Sequence, residues 1–390
     1  MGEPAPGVAA RRLALEVLAR VEDDDAYANI ALRHALDGCS LPDVDRRLVT
    51  DLVAGTVRRR RALDAVCDPH LRTPPPPSAR RALRLGAYQL ADRPDLPAYA
   101  VVSTTVAAAP SRFRGLVNAV LRRVSADLDG APPSYASPAE ELSYPDWIHD
   151  RLVEDLGPEP ARAAMIAMNQ PPPVHVRADG YVQDLASQWV AGSVGAGPGE
   201  LVLDVCAAPG GKATAVAGVG ATVVACEPAG PRLGLLADAA GRSDPGRVLV
   251  VGADGRRPPF RRAGFDRVLV DAPCSGLGVL GRRADARWRV ESTAPERLAD
   301  LQLELLLAAA DLVRPGGELT YSVCTLTRVE SVGVDERLAA ASVDLVALPP
   351  PGPPWIPWGR GALLVPVGGE HDGMALFRYR RSGPDTTMRP

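Results

Sequence analysis

Lysine is nearly absent from this 390-residue chain: of its 44 basic residues one, Lys212, is lysine and the rest are arginine. Ala, Gly, Pro, Val and Arg dominate, the mark of a drift that exchanges Lys for Arg wherever any cation will do. An ammonium and a guanidinium fork differ in size and donor geometry, so the surviving lysine points to a tight site. Asparagine is almost as scarce, at Asn29, Asn118 and Asn169. The five histidines, His34, His70, His149, His175 and His371, are dispersed, so no metal site is expected. The six cysteines, Cys39, Cys67, Cys206, Cys226, Cys274 and Cys324, form no CxxC pair, which argues against a zinc site or a disulfide framework and for reduced thiols. No uncharged apolar run reaches about 18 residues. The start, MGEPAPGVAARR, lacks a charged-then-apolar leader pattern. A cytoplasmic protein with no membrane span is the expectation.

What is present supports folded domains. A hydrophobic content of 46% over this length allows sizeable cores in two or three domains. The net charge of −3 hides an asymmetry, because residues 40–125 carry 15 Arg against 7 Asp or Glu, a local +8 suited to a polyanion. A solvated helical surface would explain that window equally well.

Residues 8–130 have helical periodicity. VAARRLALEVLARV sets Leu13, Val17 and Val21 at spacing four, with Leu18 beside them. The pattern recurs in YANIALRHAL, in RRLVTDLVAGTVRRRRALDAV, in SARRALRLGAYQLA and in RGLVNAVLRRV, with Pro or Gly breaks between. A helical domain is predicted for 1–130 and a proline-rich linker with two bridging helices for 131–180. Over 181–382, apolar strands alternate with helices, the rhythm of a mostly parallel, doubly wound α/β sheet. The tail ALLVPVGGEHDGMALFRYRR adds two runs suited to antiparallel edges.

Three strands of that region end in turns that carry cysteine: LVLDVCAAPGGK, RVLVDAPCSG and ELTYSVCTL. Ligands of open α/β sheets collect beyond the carboxyl ends of such strands. Gly210 and Gly211 allow a ligand close to the backbone; an ordinary tight turn is the alternative. Glu227 at the next strand end can accept ribose hydroxyls, Asp254 can meet an adenine amine, and Asp271 closes the set. This series suits a cofactor with ribose, adenine and a cationic sulfonium better than a nicotinamide, since no dinucleotide fingerprint occurs. Cys39, Cys67 and Cys226 are assigned to packing and Cys206 to a backbone role. The segment GRRADARW, with Arg282, Arg283, Arg287 and Trp288, is a candidate for phosphate contacts and base stacking.

The helical motifs YANIALRHAL, DRRLVTDLVAGTVRRRRALD, ALRLGAYQL and GLVNAVLRRV, in that order, resemble the NusB-type RNA-binding domain that leads the bacterial RsmB/Sun (Fmu) ribosomal RNA methyltransferases. SYPDWIHDRL and NQPPPVHVRA resemble the segments that precede their catalytic domain. CAAPGGK, DAPCSG and ELTYSVCTL resemble motifs of the Nop/Sun RNA cytosine-5 methyltransferases. The resemblance implies an all-helical NusB-like domain followed by a Rossmann-like methyltransferase domain. It implies S-adenosylmethionine held by Cys206, Ala207, Ala208, Pro209, Gly210, Gly211, Lys212, Glu227, Asp254 and Asp271. Cys324 would be the nucleophile, Cys274 would help release product, and small-subunit ribosomal RNA would be the partner of a monomer. A thiol serves because its addition to carbon 6 makes carbon 5 of cytosine nucleophilic. Lys212 could favour the Cys324 thiolate and Asp271 could bond the cytosine edge, with the target nucleotide unpaired or flipped.

The chain departs from the family pattern in places. Almost nothing separates Val176 from Tyr181, where family members insert a small RNA-contacting subdomain. Val323 precedes Cys324 where Thr is usual, Ala284 replaces a proline, and Thr327-Arg328-Val329-Glu330 follows where acidic residues are common. Two further readings stay open: cytosine-5 methylation of another nucleic acid, tRNA or DNA, a DNA enzyme using Cys274 as nucleophile; or a non-catalytic RNA-binding assembly factor.

Overall fold

The computed structural model describes residues 7–383, except 131, 244, 245 and 342. Two compact units emerge: one from the chain up to His149 together with Leu280–Arg289, the other from Asp150–Val279 and from Val290 onward. The stretch expected as a bridge, 131–180, is shared between them.

The first unit is helical: α1 (Val8–Asp23), α2 (Ala28–Asp37), α3 (Asp43–Arg58), α4 (Arg60–Cys67), α5 (Pro77–Asp92), α6 (Ala98–Ala108), α7 (Arg114–Gly130), α8 (Pro138–Glu141) and the start of α9 (Asp146–Leu156). On α1 the buried stripe is Ala10, Ala14, Val17 and Leu18, with Leu13 and Val21 at its margins, so small alanines face the neighbouring helices. The long run RRLVTDLVAGTVRRRRALDAV, read as one helix, divides at Arg59. There Ser143 Oγ accepts the amides of Arg61 at 3.0 Å and Ala62 at 3.4 Å, capping α4 from a distant part of the sequence.

The +8 window is partly neutralised. Arg80, Arg81 and Arg84 pair with Glu22, Asp23, Asp64 and Asp68; Arg93 pairs with Asp51 and Asp95, Arg59 with Asp92, and Arg61 with Asp146. Only Glu22, Asp23 and Asp146 come from outside the window, so the pairs fix several arginines in structural roles and offset part of the surplus.

GRRADARW requires a correction. Arg287 is wholly buried, its guanidinium 4.0 Å from the Tyr144 ring centroid and donating to the carbonyls of Arg58 and Ser143, each at 3.1 Å. Trp288 Nε1 donates to Val57 O at 2.7 Å, and Ala284 joins the helical core. The buried Arg287 is not open to phosphate and the half-buried Trp288 has its indole N–H engaged by the backbone; of the residues proposed for that role, Arg283 is exposed.

The second unit continues with α10 (Pro158–Ala167), α11 (Leu185–Ser193), β1 (Leu201–Asp204), α12 (Gly211–Ala217), β2 (Thr222–Glu227), α13 (Pro231–Gly241), β3 (Val248–Gly252), β4 (Phe265–Asp271), α14 (Ala294–Leu312), β5 (Val313–Val323), α15 (Val332–Ala340), β6 (Leu345–Ala347), β7 (Ile356–Trp358), β8 (Gly361–Leu364) and β9 (Met374–Arg381). The sheet order is β3-β2-β1-β4-β5-β9-β8-β7, with β6 also on β9. β1 to β5 are parallel and β6 to β9 antiparallel. The two tail runs form β8 and β9; β6 and β7, each three residues long, escaped the sequence reading because so short a run has no periodicity. Strand order reverses between β1 and β4, which opens a crevice beyond their carboxyl ends. Among the described residues no helix is long and apolar enough to cross a membrane.

Candidate active site

Beyond β1 the chain turns through Cys206-Ala-Ala-Pro-Gly210 into α12. Gly210 has φ of 108°, and a Cβ there would stand 2.7 Å from Cβ of Ala239, so a side chain is excluded on both counts. The turn is stitched to β2: Ala207 N donates to Cys226 O at 2.9 Å and Ala208 N to Glu227 Oε2 at 3.1 Å. Glu227 is buried, with Arg232 Nε 3.0 Å from its other oxygen. Asp254, beyond β3, turns to Arg256, whose hydrogen bonds hold its carboxyl below the ordinary range.

At the switch point the sequence-derived candidates meet. Lys212 Nζ lies 2.7 Å from Asp271 Oδ2 and 3.4 Å from Ser187 Oγ, while Ser322 Oγ donates to Asp271 Oδ1 at 2.7 Å. Burial alone would lower the ammonium, but Asp271, with Cys324 and Asp204 contributing, holds it above the ordinary lysine value. Cys274 Sγ and Cys324 Sγ approach to 3.1 Å. Gly278 N donates to Cys324 O at 3.0 Å, which ties the loop after β4 to the end of β5. The Cys274 thiol is pushed well up by its hydrogen bond to Cys324, then by burial and the charge of its neighbours. Burial likewise raises Cys206, whose thiol is no candidate nucleophile.

Some residues at this site were not singled out from sequence. Asp204, the last residue of β1, is 2% exposed and neither oxygen has a hydrogen-bond partner. Burial, then the charge of Asp271, pushes its carboxyl up to about 8. The rule that picked out Glu227 and Asp271, an acid closing an apolar strand, would have found it. Arg177 reaches Gly211 O at 2.5 Å, Gln183 Oε1 at 2.8 Å and Thr214 Oγ1 at 3.0 Å, clamping the short hairpin of residues 177–183 to α12. Glu330 falls in sequence within the stretch where the family commonly carries acidic residues, with no role assigned to it. Of the residues assigned to packing, Cys67 and Cys226 are buried, whereas Cys39 is half-buried with its thiol on Leu36 O. Among the described residues no three His, Cys, Asp or Glu could jointly hold a metal ion.

Residues 194–376 match the family described as 16S rRNA methyltransferase RsmB/F, and residues 8–126 match the NusB family. The chain is 35% identical to the ribosomal RNA small subunit methyltransferase B of Thermus thermophilus, over 95% of this chain and 97% of that protein. It is 33% identical to a probable ribosomal RNA small subunit methyltransferase B of Synechocystis, over 85% and 89%. The crystal structure of the protein PH0851 shares the fold, with a TM-score of 0.75 at 21% identity over 97% of this chain and 99% of that one. Helical unit, parallel sheet and the paired thiols beyond β4 and β5 thus occur in a chain that belongs to the RsmB/F family of 16S rRNA methyltransferases.

Proposed function

We propose that this chain methylates carbon 5 of a cytosine in small-subunit ribosomal RNA, with S-adenosylmethionine as donor and Cys324 as covalent nucleophile. The observation that carries the reading is the 3.1 Å approach of two thiols beside the Lys212–Asp271 pair, at the carboxyl ends of β4 and β5.

The residues fit a cationic, ribose-bearing donor. Asp204 presents a buried carboxyl without a partner, which a positive charge would ionise and satisfy; Glu227 ends β2 and Asp254 follows β3 by two residues, where hydroxyls and an adenine amine would lie. Cys206 to Lys212 would line it with backbone and small side chains. Bound there, S-adenosylmethionine supplies an electrophilic methyl group.

The chain's own groups do the rest. Cys274, held protonated by its surroundings, can donate its S–H to Cys324 and favour the thiolate there, while the Lys212 ammonium adds a positive field. Cys324 Sγ then bonds carbon 6 while cytosine N3 takes a proton from solvent, and the electron pair of the C5–C6 double bond becomes available at carbon 5. Asp271, although engaged by Lys212 and Ser322, keeps lone pairs able to accept from the cytosine edge. After transfer, carbon 5 loses its proton to solvent, the C6–S bond breaks as the C5–C6 double bond re-forms, and N3 returns its proton to solvent. The Cys274 thiol stabilises the departing sulfur, which is the product-release role.

RNA bearing 5-azacytosine at the target, which traps such an adduct, tests the assignment. Cys324→Ala should abolish covalent attachment and Cys274→Ala should retain it. The opposite pattern would transfer the nucleophilic role to Cys274 and remove the RNA-type mechanism.

A further inference from the structure

Two loops carry the thiols: residues 272–279 after β4 and residues 324–331 after β5. The β4–β5 ladder ends at Asp271 and Ser322, followed by one bond from Ala272 N to Ser322 O. From there to Gly278 the ladder fixes nothing, yet Cys274 must be held within a few tenths of an ångström of a productive position.

A single buried side chain supplies what the ladder lacks. Glu330 is 0% exposed. Its Oε1 accepts from Ser275 N at 2.7 Å and Gln302 Nε2 at 3.2 Å; its Oε2 accepts from Ser275 Oγ at 2.5 Å, Thr327 Oγ1 at 2.9 Å and Thr325 Oγ1 at 3.2 Å. Ser275 directly follows Cys274 and Thr325 directly follows Cys324. Gln302 Nε2 also donates to Pro273 O at 2.9 Å, and the Tyr321 hydroxyl lies 2.6 Å from Glu330 O. The carboxylate thus grips the neighbours of both sulfurs; burial pushes its carboxyl up, and the five donors around it oppose that by favouring the charged form.

We infer that Glu330 is a positioning residue: by binding the residues that follow both cysteines, its carboxylate sets the separation of the two thiols and places a fixed negative charge behind Cys274. The first half stands on the geometry alone; its consequence for methyl transfer rests on the function proposed above. The titratable groups that face Cys274 are Cys324, Glu330 and Tyr321, while Lys212 faces Cys324. A buried anion beside a thiol disfavours the thiolate, so Glu330 adds to the Cys324 hydrogen bond and to burial in keeping Cys274 protonated.

Glu330→Gln tests this, because its amide can accept from Ser275 N and donate to hydroxyls that rotate. Per-site alkylation of Cys274 and Cys324 by iodoacetamide, followed by mass spectrometry across pH 6 to 10 without RNA or cofactor, reads the thiols directly. Cys274 should alkylate faster in the variant, by roughly threefold or more near pH 8, and kcat should fall by roughly tenfold or more with KM for RNA unchanged. Glu330→Asp should restore the wild-type alkylation profile in part. A folded Glu330→Gln protein with unaltered Cys274 reactivity overturns the inference. Should that variant not fold, Ser275→Ala, which removes one donor and keeps the amide, decides it by the same shift or its absence. Alkylation does not depend on turnover, so a wild-type protein inert toward RNA would count against the proposed function and leave this result readable.

Discussion

Lys212 Nζ lies 2.7 Å from Asp271 Oδ2, so the one lysine of the chain joins the glycine turn after β1 to the end of β4. Both side chains are largely enclosed, at 12% and 27% exposure, which leaves little room for a larger cation.

Lys212→Arg should therefore reduce methyl transfer at least about tenfold, because the guanidinium fork cannot occupy the ammonium's slot. Lys212→Met should cost about 2 kcal/mol of stability by leaving Asp271 without its counter-charge, with Ser322 as its remaining side-chain donor. Urea unfolding and single-turnover rates check both, and wild-type rates for Lys212→Arg would show that any cation suffices. The raised folded value of Lys212 means that this pair stabilises fully below the unfolded lysine value and that its contribution fades as pH climbs past the folded one.

Asp204 carries the opposite linkage. Unfolded aspartate ionises near ~4, whereas here burial holds the proton to about 8. The folded chain binds more protons between those values, so this carboxyl progressively lowers stability as pH rises through that window, with no penalty below it and the full penalty above. Asp204→Asn should gain on wild type by at most ~1.4 kcal/mol per pH unit across the window. Denaturation at pH 5, 6.5 and 8 reads the gap, and a constant gap would exclude a buried protonated acid.

If a cationic donor ionises Asp204 on binding, the complex should release up to one proton near pH 7 and almost none above pH 9. Calorimetry of S-adenosylmethionine binding in two buffers of different ionisation enthalpy measures this. Binding without proton release would mean that the carboxyl is not the counter-ion.

Gly278 brings its loop against Gly373: a Cβ at Gly278 would stand 2.4 Å from Gly373 O. Gly278→Ala must shift the backbone that donates to Cys324 O, so methyl transfer should fall by roughly a hundredfold with little change in donor affinity. An active Gly278→Ala enzyme would show that the thiol loops tolerate slack.

Arg287→Ala should destabilise the helical unit by about 3 kcal/mol, since the guanidinium stacks on Tyr144 and its loss leaves the carbonyls of Arg58 and Ser143 unsatisfied. A change within 0.5 kcal/mol, read by urea unfolding, would mean that these groups find other partners.

The sequence by itself determined the helical run, the parallel strands and the strand-end cysteines and acids, because period and chain-local turn chemistry write them there. Gly210, Lys212, Glu227, Asp271, Cys274 and Cys324 were legible in that way. Tertiary structure alone decided which arginines are spent on packing, why the long helix breaks at Arg59, and what Glu330 and Arg287 do. Each of these depends on partners many residues away: Ser143 on α4, Tyr144 on Arg287, Ser275 on Glu330. A charged residue reads the same in sequence whether it meets water or five buried donors, and only the folded chain chooses between them.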